Sequence, residues 1–265
     1  MKKTVVFIAT ALMLFGLTAF GFVEIMGDSQ VSEKICKEHY SEALQLGPYP
    51  DREFVYRVAN RFNTTLTLDQ VASAKTVLDF MPKDDPNLAF LSAHKIVKLD
   101  TLPNNNNKTA IINDSEKLNS RQKTMLNDMT VSSSFYFESY CKINRSESGY
   151  AEDYHLVYHL SVVPQTQAQY SLGLDSLYSY LSLKNLKYMP LIDWERLWPG
   201  KVAFSINKKG EVTRVVTEMA SGQKNIDANM VDHIKNMPGT WTPAKNKNGQ
   251  PVKQEFVLFY GLEGC

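Results

Sequence analysis

KVAFSINKKGEVTRVVTEMASGQKNIDANMVDHIKNMPGTWTPAKNKNGQPVKQEFVLFYG, residues 201–261, is the stretch from which the fold is read. In its first run Val202, Phe204 and Ile206 share one face, as residues two apart do on a pleated strand. Asn207 to Gly210 supplies a turn, with Gly210 free to take positive φ. A second run, Glu211 to Thr217, alternates Val212, Arg214 and Val216 against Thr213, Val215 and Thr217. Ile226, Met230, Ile234 and Met237 then recur at helical spacing until Pro238-Gly239 ends the helix. The final run carries Val252, Phe256, Leu258 and Tyr260 on one face and Val257 and Phe259 on the other. The order is ββαβ: a three-stranded antiparallel sheet covered on one side by a helix, in a chain of α+β class.

Several residues in this order resemble a known family. Lys209-Gly210, the Val-rich strand, Ser221-Gly222, the helix opening at Ile226-Asp227, Met237-Pro238, Trp241-x-Pro243 and Asn248-Gly249-x-Pro251-Val252 precede the closing strand. Upstream, Gly173 to Leu181 and then Tyr188-Met189-Pro190 are similar to a leading helix and a Tyr-Pro step, with one residue inserted. Taken together, residues from about Gln167 to Gly261 resemble the C-terminal domain of TonB-type proteins. The resemblance implies a small periplasmic domain whose closing strand recruits a short peptide from an outer-membrane transporter.

Two domains fit comfortably in 265 residues, and 43% hydrophobic content is that of a globular chain. A net charge of +1 offers no basic field for nucleic acid, so DNA and RNA binding are set aside. Cys36, Cys141 and Cys265 are odd in number and have no CxxC spacing, which argues against zinc. Cys141 falls on the strand face of Phe135, Phe137 and Ile143 and reads as a buried thiol. Cys36 and Cys265 are left open as a pair for an oxidising compartment.

At the N-terminus Lys2 and Lys3 precede an uncharged apolar run, Thr4 to Val23. As a helix it would reach about 30 Å, the thickness of a hydrocarbon core. Lysines before it and Glu24 and Asp28 after it orient the chain outward across the membrane. Ala19-Phe20-Gly21 equally suits a cleaved signal peptide. Both readings of residues 1–23 export the chain, to the periplasmic side of the cell envelope, followed by a linker over 24–50. Energised TonB proteins carry Ser and His on the membrane helix and a long Pro-rich spacer. This run has neither residue and Val31 to Pro50 is short, two departures that stand against energy transduction.

The middle domain is read over 51–166. Glu53 to Val58 is a strand, and Thr67-Leu68-Asp69-Gln70 is a capping box. It opens a helix with Leu68, Val71, Leu78 and Met81 on one face, closed by Pro82 to Pro86. Ala93 to Leu99 is a further strand and Asn104 to Asn107 an exposed loop tip. A second helix starts near Ser120 and carries Met125, Leu126 and Met129. Two strands follow, one through Phe135, Phe137, Cys141 and Ile143, the other through Tyr154, Leu156, Tyr158, Leu160 and Val162, with Asn144 to Gly149 as the hairpin loop. Leu118 to Met129 leading into Phe135-Tyr136-Phe137-Glu138 is similar to the C-terminal domain of GldM, the periplasmic shaft component of the gliding and type IX secretion motor. That resemblance covers about Phe54 to Val163 and implies a β-rich protein-binding module with no chemistry of its own.

Catalytic patterns are few. His155 and His159 lie four apart, which on a strand separates them by about 13 Å, too far to share one cation. His39, His94 and His233 sit beside no nucleophile arrangement, and no Gly-rich phosphate loop occurs. Asp193 and Glu195 near Trp198 read as a solvated face, because glycosidase carboxylates flank a cleft. Tyr178, Tyr180 and Tyr188 read as packing and surface. No cofactor or metal is expected.

The leading expectation is therefore a non-enzymatic adaptor whose closing strand is an open edge. Unpaired N–H and C=O groups on such an edge accept a partner's strand. Carried over from the TonB family, the partner-binding residues are Lys253, Gln254, Glu255, Phe256, Val257, Leu258, Phe259 and Tyr260. Gln254, Phe256 and Leu258 would line one side of the added strand, and Lys253, Glu255 and Val257 the other. The partner is an outer-membrane transporter or an envelope machinery protein; a homodimer covering the same strand is the competing use. The alternative function is a structural component of a secretion or gliding assembly.

Overall fold

The computed structural model describes residues 53–85, 88–102, 110–144 and 151–262. The expected anchor or signal segment, the linker, Cys36, Cys265, the Asn104–Asn107 tract and most of the Asn144–Gly149 loop lie outside them. In chain order the elements are β1 (Phe54–Ala59), β2 (Thr64–Thr67), α1 (Leu68–Ser73), β3 (Leu91–Leu102), β4 (Ile111–Asn113), α2 (Ser120–Asn127), β5 (Ser134–Ile143) and β6 (Glu152–Val163). Then come β7 (Gln169–Tyr170), α3 (Leu174–Asn185), β8 (Gly200–Ile206), β9 (Val212–Met219), α4 (Lys224–Lys235), β10 (Trp241–Thr242), β11 (Ala244–Lys245), β12 (Pro251–Val252) and β13 (Gln254–Leu262). The class is α+β, with four α-helices and several antiparallel pairings among the described residues. None of the helices among the described residues is long and apolar enough to cross a membrane.

The C-terminal sheet has four strands, in the order β1-β13-β8-β9, all antiparallel. Val202, Phe204 and Ile206 meet Phe256 and Leu258 on one face. There α3 contributes Leu177 and Leu181, and α4 contributes Ile226, Met230 and Ile234, spaced four apart as one helical stripe. Trp241 closes the group with its ring 5.3 Å from that of Phe256 and 5.9 Å from that of Phe204. The expected three-stranded sheet is thus corrected to four. The added strand, β1, comes from the segment assigned to the middle domain, because Phe54–Ala59 pairs residue for residue with β13 from Leu262 back to Val257. The strict alternation expected along Glu211–Thr217 is also broken. Two register shifts and a left-handed Arg214 (φ 47°) form bulges, so Val212 and Val215 face the core while Val216 stays exposed.

The second sheet runs β2-β6-β5-β3-β4, antiparallel except where β2 pairs parallel to β6. Its inner face centres on Phe80, whose ring lies 5.3 Å from Phe135 and 5.9 Å from Phe137. Capping boxes open both helices: Thr67 with Gln70, and Asn119 with Gln122. The single helix expected from Leu68 to Met81 stops at Ser73, and Val77–Phe80 forms a separate 3-10 turn. The intervening backbone is bound elsewhere. Leu118 N–H donates to Lys75 O and Val77 N–H to Glu116 O, while the Asp79 carboxylate accepts N–H from Lys75 and Thr76 at 2.7 and 2.9 Å. Cys141 is buried as expected, with its thiol pushed up by desolvation.

Both sheets belong to one compact unit, Asp51–Glu263. A short connection from β1 to β2 carries Arg61, whose guanidinium grips Glu218 through two hydrogen bonds, 2.8 and 2.6 Å, and Glu255 at 3.0 Å. Burial alone would lower its pKa, but the two carboxylates more than reverse that and hold it charged. Glu255 N–H donates to Ser132 Oγ at 2.8 Å, and Phe62 N–H to Ser161 Oγ at 2.8 Å. The expected domain division at 166/167 is therefore crossed by a strand and by this ionic junction.

Two outcomes test this architecture. Gly210 has φ +83°, and a Cβ there would meet Trp241 O at 2.0 Å, so Gly210→Ala should cost about 1–3 kcal/mol in denaturant unfolding. Glu138 is subject to desolvation, which raises its pKa, but His155, Lys98 and the Tyr140 hydroxyl outweigh that and hold it below the usual carboxylate range. A depressed folded-state pKa contributes stability above the ordinary carboxylate value and loses it as pH falls. Unfolding midpoints taken from neutral pH down to about pH 3 should therefore fall on acidification, and fall less in Glu138→Gln.

Candidate functional site

The residues expected to bind a partner form the centre of the sheet. From Gln254 to Tyr260 every position of β13 pairs with β8, and Val257 to Tyr260 pair with β1 as well. Val257, only 1% exposed, lies between Ala59 and Ala203. Phe256, Leu258 and Tyr260 point into the core, and Tyr260 Oη donates to Asp227 Oδ1 at 2.8 Å. Gln254 is buried, donating to Asn60 Oδ1 and Gln167 Oε1 and accepting from Ala168 N–H. Glu255 is tied to Arg61 and Arg214, Phe259 lies under Arg57, and Lys253 is exposed just before the strand. The open-edge reading of Lys253–Tyr260 is corrected: from Val257 on, β1 takes the place an incoming strand would occupy, and just before it Glu255 N–H is taken by Ser132 Oγ.

Among the described residues the edges of this sheet are β1 and β9. On β9 the two bulges and the charges of Arg214 and Glu218 blunt the ladder, a common protection against unwanted pairing. By contrast β1 keeps unbroken register over all six residues. In the other sheet both edges are short, four residues in β2 and three in β4.

Backbone direction along β1 follows from one contact. Val58 N–H donates to Tyr178 Oη at 3.0 Å, so it points away from β13. Alternation in an antiparallel ladder then turns the N–H and C=O of Tyr56 and Phe54 outward too. Those groups have no hydrogen-bond partner among the described residues. Their side chains turn inward: Tyr56 Oη accepts from Asn185 Nδ2 at 3.2 Å, and burial pushes this phenol up to about 12. The Phe54 ring packs 5.2 Å from it.

Beside this edge runs an open groove of ≈ 560 Å³, floored by β1 and walled by Tyr178, Ser179, Ser182, Leu183 and Leu186. Leu174, Leu177 and Leu181 of α3 serve the core. Leu183 and Leu186 do not, and remain 71% and 60% exposed. The groove therefore combines a backbone ladder on one side with an apolar wall on the other. It offers hydroxyls and leucines, and among the described residues no nucleophile paired with a base lines it.

Other residues singled out from the sequence are placed apart from this groove. His155 Nε2 lies 2.8 Å from Glu138 Oε1 with Tyr140 stacked on its ring, and His159 lies between Phe62 and Tyr136. The His233 ring meets Tyr180 edge-on. Asp193 accepts Glu195 N–H within a local turn and lies 3.6 Å from Arg196. No group of three His, Cys, Asp or Glu side chains able to hold a metal occurs among the described residues. Tyr178, read as packing, is instead the cap on the edge. The signal that could have found the groove was the surplus of leucines, since Leu183 and Leu186 fall off the helical stripe of Leu174, Leu177 and Leu181.

No protein-family model matches this chain, and no curated protein or solved structure matches it.

Proposed function

We propose that this chain is a non-enzymatic adaptor of the cell envelope, similar in plan to TonB C-terminal domains, that captures an extended segment of a partner protein by strand addition along β1. The observation that carries this reading is the pairing of outward backbone groups at Phe54 and Tyr56 with two exposed leucines across a groove. Strand addition uses main-chain hydrogen bonds for affinity and alternate side-chain pockets for specificity, and the groove supplies both. The binding edge is moved from Lys253–Tyr260 to the strand that covers it. An outer-membrane transporter on the periplasmic side is the partner that the family resemblance suggests.

A second reading, a structural part of a secretion or gliding assembly, draws on the outer face of the five-stranded sheet. Ile96, Ile112, Tyr140 and Val157 are all exposed there, which suits contact with neighbouring subunits.

A photo-crosslinking side chain at Ser182 in the full chain tests the first reading in cells. Proline is tolerated on an edge strand where N–H faces outward, so Phe54→Pro should fold and remove one outward donor. The crosslink to an extended partner segment should drop sharply in Phe54→Pro and persist in Phe54→Ala. Equal crosslinking in both variants would rule out strand addition. Crosslinks from Val157 to motor or translocon subunits, with none from Ser182, would favour the second reading.

A further inference from the structure

The edge also has a polarity. Residues of β1 alternate between the helix-covered face, where Phe54, Tyr56 and Val58 lie, and the opposite face, where Val55 and Arg57 lie. Glu53 immediately precedes the strand on the side of Val55 and Arg57. Arg57 is exposed, stacks over the Phe259 ring at 4.8 Å and donates to Asn63 Oδ1 at 3.3 Å. Lys201 flanks the same ring at 5.7 Å. Neither cation has a carboxylate within ion-pair distance among the described residues, and the exposed Glu53 has no cation within that distance among them. Arg57 and Glu53 are four residues apart, about 13 Å along the edge. Along this face the edge of β1 is thus positive at Arg57 and negative at Glu53, while Phe54 and Tyr56 between them face Leu183 and Leu186 across the groove on the other side.

We infer that the segment captured along β1 is a short extended peptide reading acidic–apolar–x–apolar–basic from N- to C-terminus; this rests on the strand-addition reading. All pairings in this sheet are antiparallel, and antiparallel ladders are the more stable per residue, so the incoming chain runs opposite to β1. Its first residue then lies beside Arg57 and its last beside Glu53. Directly opposed side chains have Cβ atoms about 5 Å apart, within reach of an ion pair. The second and fourth residues, opposite Tyr56 and Phe54, face α3 and cover Leu183 and Leu186. These two also exchange hydrogen bonds with the outward backbone groups. The third faces Val55 on the other side, where a β-branched residue fits a pleated surface. The Tyr178 hydroxyl, already satisfied by Val58 N–H, ends the ladder beyond Arg57.

The test uses the full chain and two labelled peptides with Ser-Gly flanks, one containing Asp-Val-Thr-Val-Lys and the other Lys-Val-Thr-Val-Asp. Fluorescence anisotropy at low salt should show the first binding about three- to tenfold tighter, the range two partly exposed ion pairs supply. High salt should narrow the difference. In the double variant Glu53→Lys with Arg57→Glu, checked for unchanged thermal unfolding, the preference should invert. Equal binding of both peptides, unaltered by the double variant but lost in Phe54→Pro, overturns the polarity and leaves strand addition standing. Tighter binding of the second peptide overturns the antiparallel direction. Binding of neither peptide overturns the strand-addition reading itself. Attachment to anionic phospholipid vesicles that Leu183→Ser abolishes and Phe54→Pro leaves intact would put a membrane on this face in place of a peptide.

Discussion

Every backbone group of a strand in the middle of a sheet is already spoken for, and in this protein that strand is the last one. Between Val257 and Tyr260, β13 is hydrogen-bonded to β1 on one side and β8 on the other. Leaving those groups unpaired in a buried position would cost the desolvation of each N–H and C=O, so the pairing dictates much else. It lays residues 54–59 of the first half along the C-terminal strand, so one sheet draws on both halves of the chain. It also moves the edge of the sheet from one end of the sequence to the other.

The junction between the sheets is polar where a continuous core is absent. Arg61 sits between Glu218 and Glu255, and Arg214 reaches Glu255 from the other side. A partly buried guanidinium with two carboxylates is well matched, since its fork can donate to both at once. The cluster also serves β9. Its bulge at Arg214 turns that side chain toward Glu255, and the same irregularity spoils the outer ladder for any intruding strand. The two edges of one sheet are consequently treated differently, one bent and charged, the other straight and bordered by leucines.

That asymmetry is hard to attribute to packing alone. Helix α3 buries Leu177 and Leu181 completely, while Leu183 on its other flank and Leu186 just past its end add nothing to that core. Across from them Tyr178 satisfies Val58 N–H and stops there. The remaining edge is long enough for two hydrogen-bonded pairs. The same region is otherwise well satisfied: Asn185 binds both Tyr56 Oη and Leu181 O, fixing the inner wall of the groove.

Local patterns in the sequence determined the elements. Period-two runs placed β5, β6, β8 and β13 close to their observed limits, the Ile226, Met230, Ile234 stripe placed α4, and Thr67 with Gln70 marked a helix start. Those features depend on residues a few positions apart, so a sequence states them directly. The middle helix was misread because the backbone around Lys75 and Thr76 is claimed by Glu116 and Leu118, some forty residues on. The candidate site was less legible still. Its strand was legible, at 53–58, but not its meeting with the leucines at 183 and 186. Which strand lies beside which is set by long-range hydrogen bonds and by the cost of an uncovered ladder, and neither leaves a periodic trace in the residues of the strand itself; only the tertiary structure decided that β1 covers β13 and takes over its edge.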